Sequence, residues 1–359
     1  MDYGRVFRRV LALSLLWCLA MTNVYAAQVA EETKNVVLFL NPGKVQESFW
    51  GDVHGMMSAA AADLGLQLEV FHAEREHYRM AEFLAERLKR RPLPDYVVLV
   101  NEKQVGPKLL QLLHPYPIPV LFILNDISRQ QRVELWRDPH WLTYLLPAVI
   151  PDNEWVGRQT MSRLLEQGKV NAPQVIMMSG DKATPASMER DAGAKEALQH
   201  HDQALLLQQV YGQWDEPTAY AQMQVLLRRH PKLSHVWTAN DHMAFGVLHA
   251  LEEAGRIPGK DVWISSVNTS LQVLKLRQQG SISVLGGGHF VAGALGLMLI
   301  DEHRHGEPLP SLSNLSFFAL IDPDTPLFAR LLQHDWRGIP FRQLKQQPQQ
   351  LTRLEGWLH

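Results

Sequence analysis

The segment V-W-T-A-N-D-H-M-A-F-G-V-L-H-A-L-E-E-A-G, from Val236 to Gly255, carries the pattern that decides the fold. An apolar run at 235–239 ends at the polar pair Asn240 and Asp241, and a helix-like pattern then continues to the glycine. A short continuous apolar run is typical of a parallel strand that is covered on both faces. Glycine after the last helical position is a common end of a helix. The segment therefore predicts a buried strand, a polar turn and a helix.

The same unit recurs along most of the chain. Apolar runs alternate with helix-like patterns, and this alternation predicts an α/β protein with two doubly wound, Rossmann-like lobes. The predicted strands are 35–40, 67–72, 96–100, 120–124, 145–150, 174–179, 204–211, 235–239, 262–267 and 282–285. The predicted helices are 50–64, 80–90, 153–167, 188–199, 218–229 and 243–254.

The composition is that of an ordinary globular protein. The 359 residues are 46% hydrophobic and 20% charged, with a formal net charge of −2. This is enough chain for two domains of usual size. A nearly neutral chain does not favour binding to phosphates, so no nucleic-acid partner is expected. Cys18 is the only cysteine, and disulfides and catalytic thiols are therefore not expected either.

The first 26 residues have the pattern of a secretory signal peptide. Three arginines (Arg5, Arg8 and Arg9) precede an apolar run at 11–21, and the sequence V-Y-A ends at Ala26. This order predicts export and cleavage after that alanine. The alternative is an uncleaved membrane anchor, for which the apolar run is short of the ~20 residues that span a bilayer. The only cysteine would be removed with the signal peptide.

Polar and aromatic side chains follow several of the predicted strands. In open parallel sheets, ligands bind beyond the carboxyl ends of the strands, where loops lead into helices. The side chains at these positions are Glu47, Phe49, Trp50, Asn101, Glu102, Asn125, Asp126, Arg190, Trp214, Asn240, Asp241 and Asn268. Asn and Asp also cap helices at such places, so each has a structural alternative. As a set they predict a cleft for a small polar ligand. The residues predicted to contact that ligand are Glu47, Phe49, Trp50, Asn101, Asp126, Arg190, Trp214, Asn240 and Asn268.

For the main candidate residues there is a chemical reason to expect contact with a ligand, and for some of them a structural role is the alternative. Phe49 and Trp50 would offer ring faces to the C–H surface of a sugar-like ring, whereas Trp50 could instead pack beneath the first helix. Arg190 offers a planar fork that binds two ligand oxygens, and its alternative is an ion pair with a neighbouring carboxylate. Asn240 can donate and accept at once, as a hydroxyl ligand requires.

The sequence has no motif for catalysis or for a cofactor. His303 and His305 are two positions apart, which does not place them on one helix face, so no metal site is expected. The glycines at 286–288 are not followed by the Lys-Ser/Thr pair of a phosphate-binding loop. Neither G-x-S-x-G nor H-E-x-x-H occurs. We therefore expect neither an enzyme nor a bound cofactor.

Three segments carry a resemblance to a known family. They are Val236 to Gly255, with its Asn-Asp pair before M-A-x-G; A-S-M-E-R-D-A-G from Ala186 to Gly193; and P-D-N-E-W-V-G from Pro151 to Gly157. Together they resemble type 1 periplasmic binding proteins of the ribose- and galactose-binding kind, over roughly residues 36–307. The resemblance gives Arg190 the place of the ligand-binding arginine. It also places Trp214 as the aromatic side chain that approaches the ligand from the opposite lobe.

The resemblance implies an architecture and a function. The N-terminal lobe would comprise 27–150 plus about 286–314, and the C-terminal lobe 151–285 plus a tail at about 315–359. The lobes would close on a ligand by a hinge motion. The protein would be a periplasmic monomer that binds a small sugar-like ligand and delivers it to the permease of an ABC importer. The alternative is a sensory receptor of the same fold that signals to a membrane sensor kinase or cyclase.

The chain also departs from the family at three places. Asn268 stands where the family often has Asp, and the segment Gly286–His289 stands where many sugar binders have a glutamine contact. The first loop, at 44–48, is longer than in ribose binders, so ribose itself is not the expected ligand. That loop is similar to one in the autoinducer-2-binding branch, but the second-lobe Trp and Arg contacts of that branch are missing here.

Overall fold

The structure is a computed structural model that describes residues 35–309, 316–347, 351 and 354–358. The predicted signal peptide lies outside the described residues. Within these ranges, no helix combines the length and the apolar character that crossing a bilayer requires.

The first lobe is built on a four-stranded parallel sheet. Its strand order is β2-β1-β3-β4. The strands are β1 (Val36–Asn41), β2 (Gln67–His72), β3 (Tyr96–Leu99) and β4 (Val120–Phe122), and the helices between and after them are α1 (Ser48–Leu64), α2 (His77–Arg87), α3 (Gly106–Leu113), α4 (Arg129–Leu135) and α5 (Pro139–Tyr144). Three of the four strands are entirely buried, as strands covered by helices on both faces must be.

The second lobe is built on a six-stranded sheet with the order β10-β9-β8-β7-β5-β6. All neighbours are parallel except β10, which pairs antiparallel with β9. The elements are α6 (Asn153–Leu165), β5 (Gln174–Ser179), α7 (Pro185–Gln199), β6 (Leu205–Tyr211), α8 (Glu216–Arg229), β7 (His235–Thr238), α9 (Asp241–Glu253), β8 (Trp263–Val267), α10 (Leu271–Gln278), β9 (Val284–Gly287), α11 (Ala292–Arg304), β10 (Ala319–Leu320), α12 (Pro326–Gln333), α13 (Phe341–Lys345) and α14 (Leu354–Trp357).

The predicted α/β fold with two parallel sheets is confirmed. The predicted strand at 145–150 is wrong. Leu145 and Val149 form only isolated bridges to β4 and the residue after it. Pro147 lies between them and has no backbone N–H to donate, so a continuous ladder cannot form there.

After β9 the chain returns to the first lobe. Helix α11 packs against α1, and a side chain at Gly293 would lie 2.6 Å from Met57 of α1. The tail contacts both lobes, since α12 packs on α10 and α13 packs on α1. Arg342 of α13 donates to Asp63, and Lys345 pairs with Asp301 of α11 at 2.7 Å. The division of the chain near 150 and 286 remains a prediction, but part of the tail that was assigned to the second lobe lies on the first.

Helices α6 and α7 touch backbone to backbone. A side chain at Gly193 of α7 would lie 1.9 Å from the carbonyl oxygen of Glu154, and one at Gly157 of α6 would lie 2.1 Å from that of Arg190. These distances are far below any real atomic contact, so both positions require glycine. The close crossing fixes the first turns of α7, where Arg190 lies.

Asp191, also on α7, is a buried carboxyl group behind this crossing. It accepts hydrogen bonds from Ser179 Oγ at 2.6 Å and from Gln209 Nε2 at 2.7 Å. Burial is the largest influence and raises the pKa of Asp191 from 3.8 to about 6, although the hydrogen bonds oppose it.

This raised pKa predicts a dependence of stability on pH. A group whose pKa is higher in the folded state stabilises the fold below its unfolded pKa, and this contribution is lost as the pH rises through the folded pKa. Ionisation of Asp191 should therefore lower the free energy of unfolding as the pH rises from about 4 to about 6. In urea titrations at pH 4.5 and 7.5, Asp191→Asn should lose less stability between the two pH values than the wild type. Equal losses would show that Asp191 does not titrate in this range.

Candidate functional site

A cleft lies between the two sheets, at the carboxyl ends of their strands. The empty space between its walls is about 490 Å³, part of which is open to solvent. Its walls are formed by Phe49, Trp50, Arg75, Glu102, Leu124, Asn125, Pro151, Asn153, Thr184, Ala186, Arg190, Trp214, Asn240, Asn268 and His289. Six of the nine predicted contact residues are among them. Glu47, Asn101 and Asp126 are not.

The two lobes touch across this cleft. Asn125, after β4, accepts a hydrogen bond from the backbone N–H of Ala186 in the first turn of α7 at 2.8 Å. At the start of α1, Ser48 Oγ lies 3.3 Å from Nε2 of His242 on α9. The structure is therefore a closed arrangement in which side chains of both lobes enclose the same space.

Phe49 and Trp50 form the aromatic wall of the first lobe. Their rings meet edge to face with centroids 5.1 Å apart. Trp50 is 3% exposed, and a side chain at Gly43 would overlap its ring. Trp50 therefore packs against the loop before α1 and also lines the cleft, and its contact with a ligand remains a prediction. Phe49 is less buried and presents more of its ring.

Trp214 forms the opposite aromatic wall. It follows β6 with a left-handed backbone (φ 61°), and its Nε1 donates to Asp181 at 2.7 Å. A side chain at Gly180 would lie 2.1 Å from the indole, so this glycine makes room for the ring. The face of Trp214 lies over the guanidinium of Arg190 at 5.9 Å, an attractive cation–π geometry.

Arg190 is buried and held on several sides. Nε donates to Asn153 Oδ1 at 3.1 Å, Nη1 donates to the carbonyl of Ala239 at 2.8 Å, and Nη2 lies 3.0 Å from His289 Nε2. Burial lowers the pKa of Arg190 to about 10, and the charges of Glu189 and Asp241 oppose this shift. Arg190 remains charged at neutral pH.

The alternative role of Arg190, an ion pair with Glu189 or Asp191, does not match the contacts. Glu189 accepts from Asn153, and Asp191 faces Ser179 and Gln209. In the described part of the chain no carboxylate pairs directly with Arg190. Three of the five guanidinium donors are used by the protein, which leaves two for a ligand.

A charged group on the first-lobe wall was missed by the sequence reasoning. Arg75, after β2, donates to Glu47 through Nε at 2.9 Å and through Nη2, and to Glu102 Oε1 through Nη1 at 3.3 Å. Glu47 is thereby used to hold Arg75 instead of facing the cleft. Glu102 lines the cleft and keeps Oε2 free of protein partners in the described residues. Burial is the largest influence on Glu102 and raises its pKa.

Only part of this group had a signal in the sequence. Glu102 stands next to Asn101 at a strand end and belonged to the broader set of candidates. Arg75 lies in a loop whose left-handed backbone (φ 67°) has no sequence signature. Its role follows from the three-dimensional contacts alone.

Asn101 and Asp126 have structural roles behind the first-lobe wall. Asn101 accepts from the backbone N–H of Gly106 at 2.7 Å and donates to the carbonyl of Asp126 at 2.8 Å. Asp126 forms a two-oxygen ion pair with Arg132, with distances of 2.7 and 2.9 Å. These bonds fix the loops after β3 and β4, and they occupy the polar atoms that were expected to face a ligand.

Asn240 and Asn268 line the cleft but spend most of their hydrogen bonds on the protein. Asn240 caps α9 by accepting from the backbone N–H of Met243 at 3.0 Å, and it donates to the carbonyl of Trp214 at 3.3 Å. Asn268 donates to Asp241 Oδ1 at 2.8 Å. Its Oδ1 has no partner among the described residues and remains available as an acceptor.

The two histidines that raised the question of a metal are otherwise engaged. His303 Nδ1 lies 2.8 Å from the hydroxyl of Tyr96, and His305 Nδ1 lies 2.7 Å from the carbonyl of Asp301. Across the residues that the structure describes, no three His, Cys, Asp or Glu side chains are grouped so that they could hold a metal ion.

Comparison with known proteins identifies the family to which this fold and this cleft belong. A sequence profile of the periplasmic binding protein domain matches residues 37–308, and the chain belongs to that family. The structure of a periplasmic sugar-binding protein from Pseudomonas fluorescens superposes with a TM-score of 0.79 at 34% identity, covering 88% of this chain and 95% of that one. The predicted family resemblance is confirmed.

Two curated relatives align over shorter stretches. The D-allose-binding periplasmic protein of Escherichia coli K12 is 27% identical over 176 residues, which is 48% of this chain and 56% of that protein. The ribose import binding protein of Salmonella typhimurium is 36% identical over 83 residues, or 23% of this chain and 28% of that protein. The chain thus aligns with about half the length of the first relative and about a quarter of the second.

Proposed function

We propose that this protein is a periplasmic solute receptor that binds one small, uncharged, polyhydroxylated ligand of the sugar class and delivers it to an ABC importer. The observation that carries the proposal is a cleft between two lobes with an aromatic wall on each side. Sugars have C–H faces that pack on aromatic rings and hydroxyl rims that need polar partners. The relatives named for allose, ribose and sugar binding support the same class.

The polar atoms that remain free match hydroxyl groups. Arg190 keeps two N–H donors, and Glu102 keeps one carboxylate oxygen. Asn125 Nδ2 adds a donor and Asn268 Oδ1 adds an acceptor. A sugar hydroxyl donates and accepts at once, so it can use both kinds of partner.

The walls of the cleft carry charges of both signs. Arg75 lies between Glu47 and Glu102 on the first lobe, and the charges of Glu189 and Asp241 act on Arg190 on the second. Neither wall therefore presents charges of one sign alone, which supports an uncharged ligand.

Binding would act through the equilibrium between open and closed lobes. A ligand that contacts both walls stabilises the closed form by its extra affinity for that form. We propose that the importer recognises the closed lobes, and that no chemical change of the ligand occurs. A sensory role would use the same cleft, and only the membrane partner would differ.

The decisive experiment is a thermal-shift screen of the purified mature protein. The panel would contain D-allose, D-ribose, D-galactose, L-arabinose, D-tagatose and D-fructose, with amino acids and sugar acids as comparison classes. A bound ligand stabilises the native state, so at 100 times its Kd it adds about 2.7 kcal/mol. We expect at least one neutral sugar to raise Tm by several degrees. A response to charged compounds alone would contradict the proposal.

Export can be tested separately. We expect the mature protein, recovered from the periplasm, to begin at Ala27 after removal of residues 1–26. Protein sequencing of the N-terminus checks this, and recovery of an intact N-terminus in the membrane fraction would contradict it.

Trp214 gives a direct test of the second aromatic wall. Trp214→Ala removes the ring face and uncovers Arg190. Loss of a central aromatic contact lowers the binding free energy by about 2 kcal/mol or more. We therefore expect Kd to rise by about 30-fold. Calorimetry with the best sugar of the panel measures this change. The matched control is Trp136→Ala, because Trp136 is 45% exposed and also lies near an arginine, Arg132 at 5.8 Å. If both variants bound equally well, Trp214 would not contact the ligand.

A further inference from the structure

His289 lies where the chain leaves the second lobe. It follows Gly288, which has a left-handed backbone (φ 106°) directly after β9, and it begins the short turn that leads into α11. The side chain is buried, at 3% exposure. It lines the cleft, although it was not among the predicted contact residues.

The imidazole contacts both walls of the cleft. Its ring stacks on Phe49 of the first lobe, with centroids 4.4 Å apart and planes at 22°. On another side it packs on Phe318, just before β10, at 4.5 Å. Its Nε2 lies 3.0 Å from Nη2 of Arg190. One side chain therefore links the first aromatic wall, the crossing between the lobes and the buried arginine.

The contact with Arg190 determines which nitrogen of His289 carries the proton. A guanidinium has five donors and no acceptor, so Nε2 must accept and must be unprotonated. The hydrogen of the neutral ring is then on Nδ1. Burial, and after it the charge of Arg190, lower the pKa of His289 well below its ordinary value, which agrees with a neutral ring.

We propose that His289 is a positioning residue that sets the orientation of the Arg190 guanidinium and so determines which ligand oxygens this arginine can reach. The proposal rests on the proposed function. Asn153, Ala239 and His289 each take one N–H, from Nε, Nη1 and Nη2. One N–H remains on each terminal nitrogen, and such a pair binds two neighbouring oxygens at once. Without the acceptor at His289, Nη2 would have a second free donor. The guanidinium would then lose one of the three acceptors that fix its rotation between the rings of Trp214 and Phe318.

Two variants separate the acceptor from the ring. His289→Phe keeps an aromatic ring against Phe49 and Phe318 but cannot accept a hydrogen bond. His289→Gln gives up the ring but offers an amide oxygen to Arg190. We expect His289→Phe to weaken binding of the best panel sugar about 10- to 100-fold, as loss of one hydrogen bond to a charged group does. His289→Gln should stay within about 5-fold of the wild type.

The control is His249→Phe. His249 is exposed on α9 and stacks on Tyr220 at 4.6 Å, so it tests a stacked histidine away from the cleft. It should bind like the wild type. Equal binding by His289→Phe and the wild type would overturn the proposal. A loss in His289→Gln with none in His289→Phe would do the same, because it would make the ring the important feature.

Nitrogen NMR of histidine-labelled protein at pH 7 gives a readout that does not need a ligand. We expect an unprotonated Nε2 and a protonated Nδ1 for His289, assigned by the signal that is lost in His289→Gln. If no sugar binds the wild type but this tautomer is found, the proposed function fails while the His289–Arg190 contact stands. A protonated Nε2 would overturn the inference, whatever the ligand.

Discussion

Arg190→Ala is expected to abolish most of the binding of the ligand, with an increase in Kd of about 30- to 5,000-fold. This range corresponds to the about 2–5 kcal/mol that is lost when one partner of a buried, hydrogen-bonded charge interaction is truncated. The substitution removes the two free donors of the second-lobe wall. It also leaves Asn153 Oδ1 and the carbonyl of Ala239 without their donor in a buried place, so Tm of the free protein should fall as well.

Arg190→Lys should recover only a small part of the affinity. A lysine keeps the charge but lacks the flat fork that reaches Asn153, Ala239 and His289 together. The control is Arg163→Ala on α6, because Arg163 is exposed and its ion-pair partner among the described residues is the exposed Glu166, at 3.0 Å. Calorimetry with the best panel sugar measures all three variants. If Arg190→Ala bound within about 3-fold of the wild type, well below the loss expected for a truncated buried charge, the cleft would not be the ligand site.

Gly193→Ala should cause a large loss of stability. A methyl group at this position would lie 1.9 Å from the carbonyl oxygen of Glu154 and 2.9 Å from the backbone nitrogen of Arg158. Both are backbone atoms of α6, so no side-chain rotation can relieve the overlap. Overpacking of a core costs about 1–3 kcal/mol and occasionally more, and we expect the upper end, about 3 kcal/mol.

Urea unfolding measures this effect against Gly51→Ala. Gly51 is also helical, on α1, but no atom lies within 4 Å of the position that its Cβ would take. That control should be neutral or stabilising by about 0.5–1 kcal/mol, the helix preference of Ala over Gly. Separation of α6 and α7 would also displace Arg190, so ligand affinity should fall together with stability. Similar stability of the two variants would mean that the helices do not cross this closely.

The fold could be predicted from the sequence because most strands of its two sheets are buried on both faces. Such strands appear as short apolar runs, and the prediction at 174–179 matches β5 to the residue. The prediction at 67–72 also matches β2, although β2 is an edge strand that is only partly buried. The prediction of a strand at 145–150 was wrong because apolar residues alone do not show whether the backbone can form a ladder of hydrogen bonds. Pro147 interrupts such a ladder here. Helix α11 was not predicted, although its residues 292–301 are all buried. A helix that is apolar on every side has no periodic pattern to recognise.

The site could be predicted only in outline. Strand ends are places where side chains of several loops meet, and this rule brought Phe49, Arg190 and Trp214 to one cleft. It does not say where each side chain turns. Asn101 and Asp126 turn back to stabilise their own loops, as capping residues do. Their role as ligand contacts, like that of Glu47, remains a prediction that the geometry does not favour.

The residues that the sequence reasoning missed share a physical reason. Arg75 and His289 gain their roles from partners that are distant in sequence, Glu102 for the first and Arg190 for the second. Neither residue belongs to a local sequence motif or to a helical or strand periodicity. Contacts of this kind depend on how loops that are distant in sequence meet in the folded chain, which a single sequence does not express.

The return of the chain to its first lobe sets an order of folding. The sheet of this lobe is complete by Phe122, yet α11, which covers α1 and buries Met57, begins only at Ala292. Helix α13, which also packs on α1, comes later still. A chain that emerges N-terminus first must therefore keep an apolar face uncovered for about 170 residues. The first lobe therefore reaches its final packing last, and it depends for that packing on residues that are synthesised after most of the second-lobe sheet.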